Sequence, residues 1–297
     1  MKWRRYEDNP VIAAGSNNHV NDPTVVLAKN KFYMYYTRAP EREMDVINLA
    51  TSDDGINWKS EGEVISPGEL GSWNSLKVGR PSAIYEDSLF KVWFDGTEAD
   101  PDNPDKICPG TGRHVGFAFS SDGINFDKKP EPIYMNSGAV DVAHVGDDYI
   151  MLFESREGTR RAVGKSETRF EYKGLLIPRS GDSYDRYGHV TPMVLVEENN
   201  WTAVYYGAAE GLEKSGMADW NRNRIGMAFP QLKIEAFSLS GEKLDNVCRS
   251  LNKESLELRF KTPIPDSIRL SILDGKTILM DKVLENIQYG DEFLLKR

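Results

Sequence analysis

His19, His144 and His189, three of the chain's four histidines, stand at or just before the start of short apolar segments. The four stretches read NHVNDP, KVGRP, AVDVAH and YGHVTP, and they bring Asp22, Arg80 and Asp141 to the same phase. Chance placement scatters so few residues; a shared phase gathers them around one cavity. Two carboxylates with imidazoles and a guanidinium suit acid–base work on a neutral, hydroxyl-rich substrate. Glycoside hydrolysis needs such a set: a base to activate water, an acid for the leaving oxygen, and neighbours that hold their pKa values apart. Each residue also has a plain structural alternative. Asp22 and Asp141 suit turns at strand starts, His144 suits a core, and Arg80 suits an ion pair with an inner aspartate.

The elements that must position these groups form a repeat. DPTVVLA, RPSAIYE, DVAHVGD and TPMVLVE begin at 22, 80, 141 and 191, giving spacings of 58, 61 and 50 residues. An aromatic strand follows each: FYMYYT, FKVWFDG, YIMLFES and WTAVYYG. Next come small-residue strands (INLATS, VGFAFS, RAVGKS, IGMAFP) and outer strands (WKSEGEVI, FDKKPEPI, FEYKGLLI, and less clearly LKIEAFSL). Asp54-Gly55 and Asp122-Gly123 lie between the third and fourth strands of two modules. They predict tight type I′ hairpins, which need positive φ at both central residues. A four-strand unit of this length is a propeller blade, so the expected fold is all-β, a five-bladed β-propeller. Residues 1–230 hold four blades. In 231–297, SLELRF, SIRLSIL and TILMDKV read as strands of a fifth blade closed by the N-terminal WRRYEDNPVI, with a small C-terminal β-sandwich as the alternative.

In a propeller the first strands line the central channel, and the second strands end beside it. Asp95 in WFDG, Glu154 in LFES and Tyr206 in YYGA thereby join the substrate-binding candidates. Glu210, just after YYGAA, is the rival proton donor, and Arg224 in WNRNR belongs to a polar loop.

The chain of 297 residues is 39% hydrophobic and 10% aromatic, ample for a packed core. A formal charge of −9 argues against nucleic acid and anionic membranes as partners. The expected partner is a carbohydrate, with oligomeric state left open. Cys108 and Cys248 match no metal or redox spacing, so neither metal nor cofactor is expected. No segment approaches a membrane span, and MKWRRYEDNP leads into no apolar signal region, which points to the cytoplasm.

The NDP stretch, the YMYYT strand and the ATSDDGINWKSEGEVI hairpin with its later copies resemble the five-bladed propeller glycosidases. These comprise glycoside hydrolase families 43 and 32 with their family 117 and 130 relatives, and the resemblance covers residues 3–230. It implies a general base at Asp22 and, at Asp141, a carboxylate that tunes the acid and orients substrate. The family 43 acid, a Glu in the fourth blade, is missing: the sequence reads GHVTP. A family-117-like histidine acid then falls on His189, with His19, Arg80, His144 and Arg186 around the pocket. The family 32 Trp-Met-Asn-Asp-Pro stretch is only partly echoed by HVNDP. Two other functions follow from the resemblance. One is a glycan-binding propeller that has lost its acid. The other is a family-130-like phosphorylase cradling phosphate with Arg80, Arg186 and Arg224.

Overall fold

A computed structural model describes residues 7–13, 19–39, 44–181, 183–197, 200–211 and 223–228, and six strands beyond them. The chain divides into two compact units, Met1–Ala228 and Phe229–Arg297. Among the described residues no helix is long and apolar enough to cross a membrane.

The first unit is a β-propeller with four blades, built as consecutive antiparallel sheets. Blade 1 holds β1 (His19–Ala28), β2 (Lys31–Ala39), β3 (Val46–Ser52) and β4 (Lys59–Ile65). Blade 2 holds β5 (Lys77–Glu86), β6 (Leu89–Thr97), β9 (His114–Ser120) and β10 (Asp127–Lys128), with a hairpin of β7 (Ala99–Asp100) and β8 (Asn103–Ile107) inserted after β6. β10 is short because Pro130 and Pro132 in its predicted run have no amide to donate to a ladder. Blade 3 holds β11 (Asp141–Val145), β12 (Asp148–Phe153), β13 (Gly158–Ser166) and β14 (Arg169–Pro178). A 3-10 turn (Ser183–Asp185) leads into blade 4: β15 (His189–Glu197), β16 (Asn200–Ala209) and β17 (Asn223–Ala228).

The first strands stand side by side, β1 against β5, β5 against β11 and β11 against β15. The second strands are apolar on both faces because each is covered on both sides, and strand period 2 divides their side chains. Phe90, Val92 and Phe94 of β6 join Tyr35 and Leu49 of blade 1, while Trp93 joins Val142 and Met151 of blade 3. Ile150 and Leu152 face the other way, onto Val194 and Tyr206 of blade 4.

One position recurs as a clamp between blades. Thr24, Ser82, Asp141 and Met193 pair with Tyr35, Trp93, Leu152 and Tyr205 of their own second strands, so they are equivalent. Thr24 Oγ1 accepts from Ala83 N at 3.3 Å, Ser82 Oγ from Val142 N at 2.9 Å, and Asp141 Oδ2 from Val194 N at 2.8 Å. Each side chain ties its blade to the residue just past its equivalent in the next.

Two expectations change. The Asp-Gly hairpins are not type I′: among these residues only Gly55 and Gly123 have positive φ, and β3 and β4 are joined by residues 53–58. Asp54 accepts from the amides of Ile56 and Asn57 at 2.8 and 2.7 Å, and Asp122 accepts from Ile124 and Asn125, both at 2.8 Å. A carboxylate thus organises a wider loop, as short acidic side chains do when they bond the backbone just ahead. The fourth outer strand is also reassigned. β18 (Lys233–Ser238), from LKIEAFSL, pairs with β21 (Ser267–Asp274) in the second unit.

That unit has two three-stranded sheets. One is ordered β18, β21, β22 (Thr277–Glu285); the other β19 (Val247–Leu251), β20 (Ser255–Phe260), β23 (Glu292–Lys296). SLELRF and SIRLSIL fall in different sheets, so they do not build one four-stranded blade. Two sheets are what the sandwich alternative requires. Residues 3–6 of the proposed closing strand lie outside the described residues, and 7–13 carry no strand.

Candidate active site at the propeller mouth

Asp22, Arg80, Ala139 and Thr191 each lie two residues before a clamp position, and each has positive φ: 52°, 49°, 49° and 42°. In blades 1, 2 and 4 the ladder skips this residue and the next, between Asn21 and Thr24, Gly79 and Ser82, and Val190 and Met193. The skipped partner is a proline each time: Pro23, Pro81 and Pro192. Proline has no amide for the ladder, so it tolerates a bulge, and a bulge re-aims the preceding side chain. Positive φ in non-glycine residues is stored strain that concentrates at functional sites. Asp22 and Arg80 are therefore true equivalents. Asp141 is not: blade 3 places Ala139 there, and Asp141 sits at the clamp.

Around this ring the ends of the second strands supply a charged floor. Thr37, Asp95 and Glu154 are equivalent in β2, β6 and at the end of β12. Arg80 donates its backbone amide to Thr37 Oγ1 at 2.8 Å and its Nε to Asp95 Oδ2 at 2.7 Å. Arg113 Nη1 and the amide of Ala139 reach the same Oδ2 at 3.0 and 2.8 Å. Arg113 also pairs with Glu154. Asp95 is only 2% exposed, and three donors hold it, so it supports its neighbours and offers substrate little.

Asp22 differs. Among the described residues no ion pair joins it. Burial pushes its carboxyl above the usual carboxylate range; attraction to Arg80 and a hydrogen bond with Thr37 pull the other way, and Asp95 and Asp45 add to the rise. The result is a half-buried carboxylate beside two guanidinium groups it does not salt-bridge. His19, half-exposed, bonds Asp45 Oδ1 at 3.1 Å near this end.

His189 lies between blades. Its Nδ1 meets Thr159 Oγ1 at 3.0 Å, its Nε2 meets Asp185 Oδ2 at 3.3 Å, and its ring stacks on Tyr206 at 3.8 Å. The side chain has no exposed surface. Burial lowers its pKa despite Asp185, so the imidazole is neutral, accepting from Thr159 and donating to Asp185. Tyr206 points its hydroxyl at Tyr184, 3.0 Å away. His144 is at the opposite end of the channel, five residues past Ala139, or roughly 16 Å of strand. There it bonds Glu86 and stacks on Tyr149. Arg186 is exposed, and its carbonyl accepts from Arg179. Glu210, at the mouth end of β16, pairs with Arg224 at 2.9 Å and is 29% exposed. The structure thus gathers Asp22, Arg80, Asp95 and Glu154 and places Asp141 and His144 elsewhere along the first strands. His189, whose amide donates to Ser155 O beside Glu154 at 3.0 Å, has its ring engaged by Thr159 and Asp185.

The glycosyl hydrolases family 32 N-terminal domain matches residues 1–76. Of curated proteins, an A type blood N-acetyl-α-D-galactosamine deacetylase from Flavonifractor plautii is 36% identical over 66 residues, 20% of this chain and 8% of that protein. A glutamate–tRNA ligase from Fusobacterium nucleatum is 29% identical over 161 residues, 52% of this chain and 31% of the ligase. The matched part is therefore less than a third of either relative. A glycosyl hydrolase structure from Bacteroides ovatus superposes with TM-score 0.56 at 12% identity, covering 97% of this chain and 95% of that one. An N-acetylgalactosamine deacetylase from F. plautii, in complex with blood group B trisaccharide, gives 0.54 at 17% identity, covering 74% and 75%. The fold is that of the propeller glycosidases.

Within this propeller glycosidase fold, sequence reasoning missed Arg113, Thr37 and the Asp185–His189–Thr159 chain. Arg113 was legible in principle. It directly precedes the third strand of blade 2, whose Val115 pairs with Asp95, so the register alone places it beside that carboxylate. Asp185 lies in a turn with no strand periodicity, and nothing in the sequence marked it.

Proposed function

We propose that the chain hydrolyses a glycosidic bond at the propeller mouth, with Asp22 as the carboxylate that activates water or attacks the anomeric carbon. The observation that carries this is Asp22 itself: strained, half-buried and, among the described residues, without an ion pair, while Asp95 and Glu154 are tied to arginines. Arg80 draws its pKa down against burial, and Arg80 and Arg113 offer hydrogen bonds to sugar hydroxyls. We assign the proton donor to Glu210 in place of His189, because Glu210, though paired with Arg224 at 2.9 Å, retains solvent access, whereas His189 is a fully buried neutral imidazole with both nitrogens engaged. Asp141 is assigned to the clamp. A phosphate cradle gains no support, since Arg80 and Arg224 each face a carboxylate.

The 36% identity with a deacetylase favours a second reading, in which Asp22 activates water against an N-acetyl group on a sugar. A panel of aryl and natural glycosides, N-acetylhexosaminides included, separates the two when free sugar and acetate are assayed independently. Sugar release without acetate is expected. Acetate release alone supports the second reading, and saturable binding with neither product leaves a glycan-binding propeller.

A further inference from the structure

A cavity of about 390 Å³ lies along the first strands of blades 2 to 4. It is lined by the far ends of β5 and β11 and the middle of β15, among them Tyr85, Glu86, Asp141, His144 and Met193, and by none of Asp22, Arg80 or Asp95. Its charges are unevenly matched. Glu86 is fully engaged: Lys91 Nζ donates to it at 2.8 Å, and Tyr149 and His144 bond it as well. Burial pushes its carboxyl up, but these hydrogen bonds outweigh that and hold it at about 2. Asp141 has only neutral partners, the hydroxyl of Ser82 at 3.1 Å and the amides of the strands around it. Among the described residues no cation pairs with it.

The clamp alone does not call for that charge. Blades 1 and 2 perform the same bond with the hydroxyls of Thr24 and Ser82. A carboxylate in the third place brings a desolvation penalty that a hydroxyl avoids. Burial accordingly raises its pKa. A carboxyl in this place, beside an open cavity, has the chemistry of a counterion.

We propose that this cavity is a second ligand site, distinct from the mouth, and that it takes a small organic ammonium ion with Asp141 as its counterion. Metal is the weaker fit, because among the described residues no group of three or more His, Cys, Asp or Glu is placed to hold an ion. The walls suit an ammonium carried on carbon: Ile84 and Val142 line the cavity, and Met193, 46% exposed, is a soft adaptable surface. The volume accommodates a ligand of several carbons.

The test uses the whole chain with two isosteric probes, n-butylammonium and n-butanol, titrated calorimetrically at equal ionic strength. The wild type is expected to bind the ammonium saturably and at least tenfold more tightly than the alcohol. Asp141→Ser, which supplies the hydroxyl blade 2 already uses at this position, is expected to fold and to lose that preference. Asp22→Asn is expected to keep it. Equal binding of the two probes by the wild type, or an unchanged preference in Asp141→Ser, overturns the proposal and leaves a water-filled channel with a protonated Asp141. Because the probe comparison needs no variant, it decides even if Asp141→Ser fails to fold. Failure of this site leaves the assignment of the mouth untouched.

Discussion

Asp22 and Arg80 hold the same backbone conformation at the same place in successive blades, φ 52° and 49°, each followed by a proline that the ladder passes over. The repeat thus delivers a carboxylate and a guanidinium to one ring by one local device, and the end of β6 locks the guanidinium to Asp95. Asp22 keeps its carboxylate for substrate.

The acid limb of the pH–rate profile should report Asp22. A base acts ionised, and burial places its pKa above the ordinary 3.8. kcat/KM is expected to fall as pH drops through that raised value, so the limb lies above pH 3.8. Arg80→Met removes an attraction that lowers the pKa and should move the limb further up. A limb at or below the ordinary value would contradict the assignment.

His189 should give the fold an acid sensitivity. Burial lowers its folded pKa beneath the ordinary 6.5, so the unfolded chain binds the extra proton first as pH falls. Stability is expected to be full above 6.5 and to decline from there toward the lowered value. Denaturant melts of His189→Gln across this range should show a flatter profile and, at pH 7.5, a loss on the order of 1–3 kcal/mol from unmet partners.

The clamp can be tested at Ser82. Its hydroxyl accepts from Val142 N and donates to Asp141, so Ser82→Ala leaves a buried amide without its acceptor. A loss of about 1–3 kcal/mol is expected in denaturant melts. Ser82→Thr, the residue blade 1 uses, should recover most of it.

Gly138 should tolerate no side chain. A Cβ there falls 2.6 Å from Asp95 Oδ2 and 2.9 Å from Arg113 Cζ. Asp95 cannot retreat from three donors, so Gly138→Ala displaces the floor beneath Asp22. Turnover is expected to fall on the order of 10–100-fold, since small misplacements at a site are costly. Melting should stay cooperative.

Much of the fold was legible because strand period and aromatic runs are written locally. The X-Pro pairs at 22, 80 and 191 lie within the first strands β1, β5 and β15, two or three residues past their starts. Blade 3 is offset by two residues from the repeat read in sequence, because it carries Ala139-Val140 in place of such a pair. The His189 assignment rested on phase along the chain, yet solvent access depends on Thr159 and Asp185 from elsewhere. The Asp-Gly loops misled for a related reason: the dipeptide signals a turn, while its width is set by which amides the carboxylate captures.

The most direct test of the account is kcat/KM of Asp22→Asn on a glycoside that the wild type cleaves, measured with the thermal midpoint of the same preparation. Ionising a carboxyl whose folded pKa is raised costs stability as pH rises above the unfolded value, so at pH 7 the variant should melt no lower than the wild type. Its kcat/KM is expected to fall by ~10²–10⁴-fold. Activity within threefold of wild type, in a variant that melts normally, would remove Asp22 from the reaction and the mouth from its proposed role.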